Sequence, residues 1–411
     1  MRCGACLAAL LLLSTLLATG QPASPPQPDW VADIADVRRH YIKGENALLN
    51  GNLPEAEKAF AQAFEDASKI HRKHPDVPEL DEFLQGLQGT FEQLQRLHQM
   101  AILVPRPEKK AVPAVAEVLP RVDLYAHAIE ISPELRGKIE RNLQHARYDL
   151  PIALNEDVVR AIDFYLKNPN GRKLIKIGLE RIGLYEDELR RILREEGVPT
   201  DLVYLAQLES NFFPGAVSSA AAVGPWQFVA DTGMRYGLRI DWWVDERQDP
   251  FKSTRAAARY LKFLHEKVGD WYLVMASYNT GEGRIIPLAN KGRDYWEISD
   301  RRMIAAETRK FVPLVLAIAI ISKNPAEFGL EVRRAEPLEF DTIEIKRAVS
   351  LKVLSRRFGI DLDDLRDLNP ELQQDLTPQY SRSYWLRLPA GTSRKVAARL
   401  PTMSARERMG N

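Results

Sequence analysis

Cysteine is almost missing from this chain: 411 residues contain two, Cys3 and Cys6, and none follows. Both precede the apolar run Leu7–Leu17, which begins after a single basic residue, Arg2, and ends in the small residues Ala18-Thr19-Gly20. That order reads as a secretory signal peptide over residues 1–20, with a mature chain starting at Gln21. A lipid-modified cysteine would follow the apolar run, so the position of the pair disfavours a lipoprotein. With both cysteines removed, the mature chain has neither disulfides nor thiolate metal ligands. Excess charge is missing as well. Lys and Arg number 57 against 56 Asp and Glu, a net charge of +1. A balanced chain lacks the basic footprint of a nucleic-acid binder and has no pull toward an anionic membrane surface. Long hydrophobic runs are missing too. Leu7–Leu17 and Val312–Ile321 both fall short of the ~20 residues that span a bilayer. The second contains Pro313 and reads as a buried core helix. The 7 histidines form no HExxH pair, and nothing in the sequence calls for a metal or another cofactor. The expected location is the periplasm or cell envelope, with an uncleaved membrane anchor as the alternative.

The mature chain is expected to be mainly α. Residues 29–102 read as helices. Gly44, Leu48, Gly51, Ala56, Phe60 and Ala63 follow the small/large pattern of one helical hairpin, with no second copy to build a solenoid. Such a module either packs on the rest of the chain or offers a surface to an envelope protein partner. Residues 103–121 hold Pro105, Pro107, Pro113 and Pro120, which deny a continuous helix and mark a linker. Residues 122–322 show helical periodicity, as in Ile175, Leu179, Ile182 and Leu189, Ile192, Leu193. Asn168-Pro169-Asn170-Gly171 reads as a turn, and Ser253 or Thr254 as a helix cap. Residues 338–391 change character. A short strand at Thr342–Ile345, helices at Leu351–Phe358 and Leu362–Leu368, and a strand at Tyr384–Pro389 give the order βααβ. Residues 392–411 are left as a tail.

The chemistry concentrates between Leu202 and Leu238. Glu209 ends an apolar helical stretch that Asn211-Phe212-Phe213-Pro214-Gly215 must terminate. A carboxyl among aromatics at a helix end is pushed toward its protonated form, which suits a general acid near neutral pH. A solvated surface role is the ordinary fate of a glutamate. Residues 210–230 hold no acid before Asp231 but are rich in Ser, Asn, Gln, Gly and Trp, the side chains that bind sugars. A similar set recurs at Ser277-Tyr278-Asn279-Thr280-Gly281.

Taken together, Glu209-Ser210, Ser218, Gly224-Pro225-Trp226-Gln227-Phe228 and Ser277-Tyr278-Asn279-Thr280-Gly281 resemble the lytic transglycosylases with a goose-type lysozyme fold. Trp242-Trp243-Val244-Asp245-Glu246-Arg247, Asp249-Pro250 and Glu307-Thr308-Arg309-Lys310-Phe311-Val312-Pro313 narrow the likeness to the branch of membrane-bound lytic murein transglycosylase D. The resemblance covers residues 122–322. It implies a lysozyme-like helical catalytic domain that cleaves peptidoglycan glycan strands between N-acetylmuramic acid and N-acetylglucosamine. It also implies Glu209 as acid and base, with Ser218, Gln227, Tyr278, Asn279 and Glu307 along the cleft. Trp226, Trp242 and Trp243 read as core and cleft wall. Where the family commonly has glycine and leucine, this chain has Ala221 and Pro225; alanine enters the left-handed region at a cost, and proline lacks a donor. The βααβ segment resembles a LysM domain, which implies affinity for N-acetylglucosamine-containing glycans, although its insert Glu371–Ser383 is long. Two other readings stand beside this one. One is a hydrolytic lysozyme in which Asp245 or Glu246 activates water; the other is an inactive peptidoglycan-binding scaffold.

Overall fold

The computed structural model describes residues 132–378 and 384–409, together with 53–74, Val112–Pro113, position 84 and scattered positions from 36 to 47. The expected signal peptide, most of the expected linker 103–121 and much of the 29–102 region lie outside the described residues. The chain divides into two units, the first holding the N-terminal residues with the short segments 241–244 and 373–376, the second holding the rest.

In the first unit, helix α1 (Leu53–Lys73) has the acidic Glu55 in its first turn and His71, Arg72 and Lys73 in its last, which suits the helix dipole. Ala56, Ala59, Phe60, Ala63, Ala67 and Ile70 are buried along one stripe. Phe60 meets Tyr41 edge-on, with ring centroids 5.4 Å apart. A Cβ on Gly44 would lie 2.9 Å from the Phe60 ring, so the small residue admits the approach. That is the small/large packing expected of the hairpin. Trp243 is buried in this unit, and its carbonyl accepts from the Gln373 amide at 2.8 Å.

The second unit opens with β1 (Val112–Pro113), inside the expected linker, paired in parallel with β2 (Ala216–Val217). Between them come α2 (Pro133–His145), α3 (Glu156–Lys167), α4 (Pro169–Ile182), α5 (Glu186–Glu196) and α6 (Val203–Ser210). After β2 follow α7 (Ala230–Arg235), α8 (Pro250–Val268), α9 (Trp271–Thr280), α10 (Glu282–Ala289), α11 (Tyr295–Asp300) and α12 (Ala306–Lys323). The core lies around α6, in which all positions are buried, and α12, whose residues 310–322 are buried throughout. The apolar run with Pro313 is thus a core helix, as its length required. α12 packs on α3, α6 and α9, while α8 packs on α5 and α9.

Side-chain caps fix several boundaries. Asn168 both ends α3 and caps α4, accepting from the Asn170 and Gly171 amides, so the expected turn is a one-residue hinge with Pro169 already helical. The cap of α8 is Asp249, not Ser253 or Thr254. Its Oδ1 accepts from the Phe251 and Lys252 amides at 2.9 and 3.0 Å, because Pro250 suits the first helical position. Ser253 and Thr254 instead sit in the first turn and donate back to carbonyls.

The C-terminal module has the βααβ order. β3 (Phe340–Ile345) and β4 (Tyr384–Pro389) pair antiparallel, Phe340 opposite Pro389 and Ile345 opposite Tyr384. α13 (Leu351–Phe358), closed by left-handed Gly359, and α14 (Leu362–Leu368) lie between them. Residues 393–409 are no loose tail. They form α15 (Ser393–Arg399) and α16 (Ala405–Met409), because Val396, Leu400 and Met403 bury apolar surface and the Arg408 carbonyl accepts from the Ser350 amide.

Candidate active site

Glu209 lies on the last turn of α6. The helix stops at Asn211 (φ 51°) and Phe212 (φ 59°), two successive non-glycine residues in the left-handed region, each costing about 1–2 kcal/mol. The bend is held from outside by Arg181, which donates to the Asn211 carbonyl at 2.7 Å and lies over the Phe213 ring. Glu209 is 7% exposed. Among the described residues it makes no hydrogen bond or ion pair. Burial, and next the charge of Glu307, push its pKa up to about 8.

The loop 216–228 forms the second wall. The Ser218 hydroxyl accepts from the Ala222 amide at 3.0 Å. Ala221 takes the left-handed conformation (φ 58°) that its side chain disfavours. Gly224 (φ 84°) must be glycine, because a Cβ there would lie 1.9 Å from the Arg247 carbonyl oxygen. Pro225 needs no donor here; its carbonyl accepts from Ser210 at 2.8 Å. Trp226 is fully buried and donates through Nε1 to Thr254 at 2.7 Å. It is core, and neither Trp242 nor Trp243 lines the cleft. Gln227 (φ 49°) turns its amide inward, donating to Gly224 O at 2.8 Å and Ala216 O at 3.3 Å, while Oε1 is buried without a partner.

α9 brings the third wall. Tyr278 donates to the Trp226 carbonyl at 2.7 Å, and its ring lies between Phe228 and Tyr260 at 6.2 and 5.4 Å. Burial and the neighbouring Glu209 keep it a phenol by raising its pKa well above 10. The structure brings Glu209, Ser218, Gln227, Tyr278, Asn279 and Glu307 to one cleft of about 790 Å³. Glu307 is exposed, in the first turn of α12. Sequence reasoning missed Glu282, Arg235 and Tyr260, which share that cleft. Glu282 accepts from Tyr260 at 2.6 Å and Arg235 at 3.1 Å. Glu282 directly follows the Ser277–Gly281 string, but nothing in that string announced a third acidic position.

Asp245 and Glu246, expected as alternative bases, are engaged elsewhere. Asp245 pairs with Arg247 through bonds of 2.9 and 2.7 Å. Glu246 accepts from the Arg239 amide at 2.8 Å and Lys252 at 2.7 Å. Neither lines the cleft. Among the described residues no group of three or more His, Cys, Asp or Glu could hold a metal ion.

A buried carboxyl with a raised pKa, set in a cleft with amides and a phenol, has the chemistry open to acid catalysts as a class and names no particular enzyme. The comparisons with known proteins are narrower. Residues 190–296 match the Transglycosylase SLT domain, and residues 339–405 match the LysM-like domain of lytic transglycosylase MltD. The chain is 32% identical over 185 residues to membrane-bound lytic murein transglycosylase D of Escherichia coli (strain K12), covering 43% of this chain and 40% of that protein. It is 29% identical over 143 residues to membrane-bound lytic murein transglycosylase F 2 of Alkalilimnicola ehrlichii, covering 33% and 30%. A solved structure of an inactive mutant of the lytic transglycosylase Slt from Pseudomonas aeruginosa aligns at 16% identity and a TM-score of 0.32, over 78% of this chain and 61% of that one. The chain therefore carries an SLT transglycosylase domain and, C-terminal to it, a LysM-like domain of the MltD type, and is homologous to membrane-bound lytic murein transglycosylase D. It spans about two fifths of the length of that curated relative.

Proposed function

We propose that this chain is a lytic transglycosylase of the cell envelope. It cleaves the β-1,4 bond between N-acetylmuramic acid and N-acetylglucosamine of peptidoglycan and leaves 1,6-anhydro-muramic acid ends. The observation that carries the reading is Glu209: buried, unpaired, at the cleft, with its pKa up at about 8. Such a group holds a proton at neutral pH and can give it to the bridging oxygen as the glycosidic C–O bond breaks. The acetamido group of the muramoyl residue supports the developing positive charge at C1. Glu209, now ionised, takes the proton of the muramoyl C6 hydroxyl as that oxygen bonds to C1. The nucleophile belongs to the substrate, which gives it a high effective concentration, and no water is consumed.

In this reading Ser218, Gln227, Tyr278, Asn279 and Glu307 bind the glycan along the cleft. Tyr278 and Gln227 act by fixing the loop as well as by facing it. The domain divisions proposed are a helical module at 29–102, a linker at 103–121, the catalytic domain at 122–322 and the LysM-like module from 338, extended through α16. Glycan affinity of that module, export through a signal peptide over 1–20, membrane attachment and an envelope protein partner of the N-terminal module belong to the same proposal. No cofactor enters the reaction.

Digestion of purified sacculi in heavy-oxygen water tests it. The expected products end in 1,6-anhydro-muramic acid, carry no label and resist borohydride. Labelled, reducible muramic acid ends would reject transglycosylation in favour of hydrolysis.

A further inference from the structure

Arg387 on β4 occupies a place that a freely tethered glycan-binding module would not need. Its guanidinium reaches out of the module to Asp249, the cap of α8, at 2.6 Å. The Asp249 side chain is 0% exposed and that of Arg387 12%. The guanidinium also lies 5.1 Å from the centroid of Phe251, on the catalytic side, and 5.6 Å from that of Phe340, on β3. Buried Glu371, from the long insert, sits 3.5 Å from Arg387 and accepts from Tyr384 at 2.7 Å. The insert thus has a use: it brings a second carboxylate to the same guanidinium, and its Glu371 carbonyl accepts from the Asp245 amide at 2.8 Å.

Asp245 and Asp249 bracket the single 3-10 turn Glu246–Gln248. The module holds this strap at both ends. From the strap, Arg247 reaches the other way. It donates to the Ala221 and Phe228 carbonyls, both at 3.1 Å, so it grips the cleft loop on either side of Gln227. One turn into the helix that Asp249 caps, Thr254 accepts from Trp226, whose carbonyl in turn receives the Tyr278 hydroxyl. Every link is a hydrogen bond between buried or half-buried groups. The loop they converge on contains strained positions, Ala221 and Gln227, that persist only where the surroundings over-determine them.

We infer that Arg387 is a positioning residue for the cleft: through Asp249 and the strap Asp245–Asp249, the C-terminal module sets the conformation of the loop that carries Ser218 and Gln227. The inference rests on the proposed function for its kinetic readout. Removing Arg387 leaves Asp249 and Glu371 facing each other in a buried site. Among the described residues the two buried carboxylates then share only Lys252 as a nearby cation, so the strap shifts to separate them and releases the loop.

The test compares full-length Arg387→Ala, Arg387→Lys and Asp249→Asn with the native chain on soluble, uncrosslinked glycan chains. Asp249→Asn keeps an amide oxygen able to cap α8 while removing the ion pair, so it serves if Arg387→Ala does not fold. The expected result is a fall in kcat of roughly 3- to 30-fold, the size of a remote coupling, with pelleting on sacculi unchanged and with partial recovery in Arg387→Lys. Hydrogen exchange should rise in residues 216–228 and stay unchanged in α12. Native kcat together with native exchange in 216–228 would overturn the inference, as would a loss confined to sacculus binding. If Glu209→Gln proved active, the reading of the cleft would fall, whereas the exchange result at the loop would still decide the role of Arg387.

Discussion

Replacing Glu209 by glutamine should destroy activity and stabilise the protein, and the second effect should depend on pH in a way fixed by the first. The native carboxyl has a pKa of about 8 in the fold against 4.5 as a free side chain, raised by burial and by the charge of Glu307. An acid whose folded pKa lies above its unfolded one binds its proton more tightly in the fold. It costs nothing below pH 4.5, costs progressively more between 4.5 and 8, and costs a constant amount above 8. The gap between 4.5 and about 8 corresponds to about 5 kcal/mol. Water entering the cleft around the ionised group reduces the measurable part to a few kcal/mol. Glutamine is isosteric and never ionises. Glu209→Gln and the native chain should therefore melt together at pH 4, and the variant should melt several degrees higher at pH 9, given ~2–4 °C per kcal/mol for a domain of this size. Over the same range the native kcat/KM should fall about tenfold per unit above pH 8, as the acid loses its proton, while the variant should be slower by roughly 10²–10⁴-fold below pH 8 and should lack that alkaline limb. Calorimetry at pH 4, 7 and 9 with a turnover assay on soluble glycan chains gives both curves. A stability difference independent of pH, or a native rate that held steady through pH 9, would refute the assignment of the raised pKa to this group.

Four other substitutions follow from the same geometry. Tyr278→Phe removes the bond to the Trp226 carbonyl and should cost about 1–2 kcal/mol of positioning, or 5- to 30-fold in turnover, with the fold intact by circular dichroism. Ala221→Gly relieves a left-handed alanine and should raise stability by about 0.5–1 kcal/mol in urea titration, whereas Gly224→Ala drives a Cβ against the Arg247 carbonyl and should lower it by at least about 2 kcal/mol. Glu307→Gln removes the charge that helps raise the pKa of Glu209, so the alkaline limb of the pH–rate profile should move to lower pH while the anhydro product persists. Loss of all turnover with native folding would show that Glu307 takes part in the chemistry itself.

What was legible in the sequence was whatever local chemistry decides. The βααβ helices and β4 fell at their expected limits because Gly359, Asn369-Pro370 and Pro389 punctuate them, and the Val312–Ile321 helix followed from its length and apolarity. The six cleft positions could be named because the contiguous strings that hold them resemble the motifs of a known family, which implies those positions. What failed was tertiary. Asp249 won the cap of α8 over Ser253 and Thr254 because a proline next to it fixes the first turn, a cue present in the sequence but outranked by the wrong residues. The departures at Ala221 and Pro225 looked like threats to the loop. In the structure Ala221 accepts its strained conformation and Pro225 sits where only a carbonyl is used. The length of the Glu371–Ser383 insert counted against a glycan-binding module. Its purpose could not be read without the fold, since Glu371 and Arg387 meet Asp249 across more than a hundred residues of chain.

The choice between a lyase and a hydrolase also changes once the acids are located. In sequence the nearest candidates for a water-activating base were Asp245 and Glu246, close to the motifs and unassigned. Both are tied into the strap, one to Arg247 and the other to Lys252 and the Arg239 amide. Among the described residues the other acids at the cleft are Glu282, held by Tyr260 and Arg235, and Glu307. Glu307 sits exposed in the first turn of α12. Its charge works on Glu209 by making that group hold its proton. In the proposed function, Glu209 is the acid whose proton the charge of Glu307 helps to hold, and once it has given that proton up it is left ionised at the same cleft to receive one from the substrate's own hydroxyl.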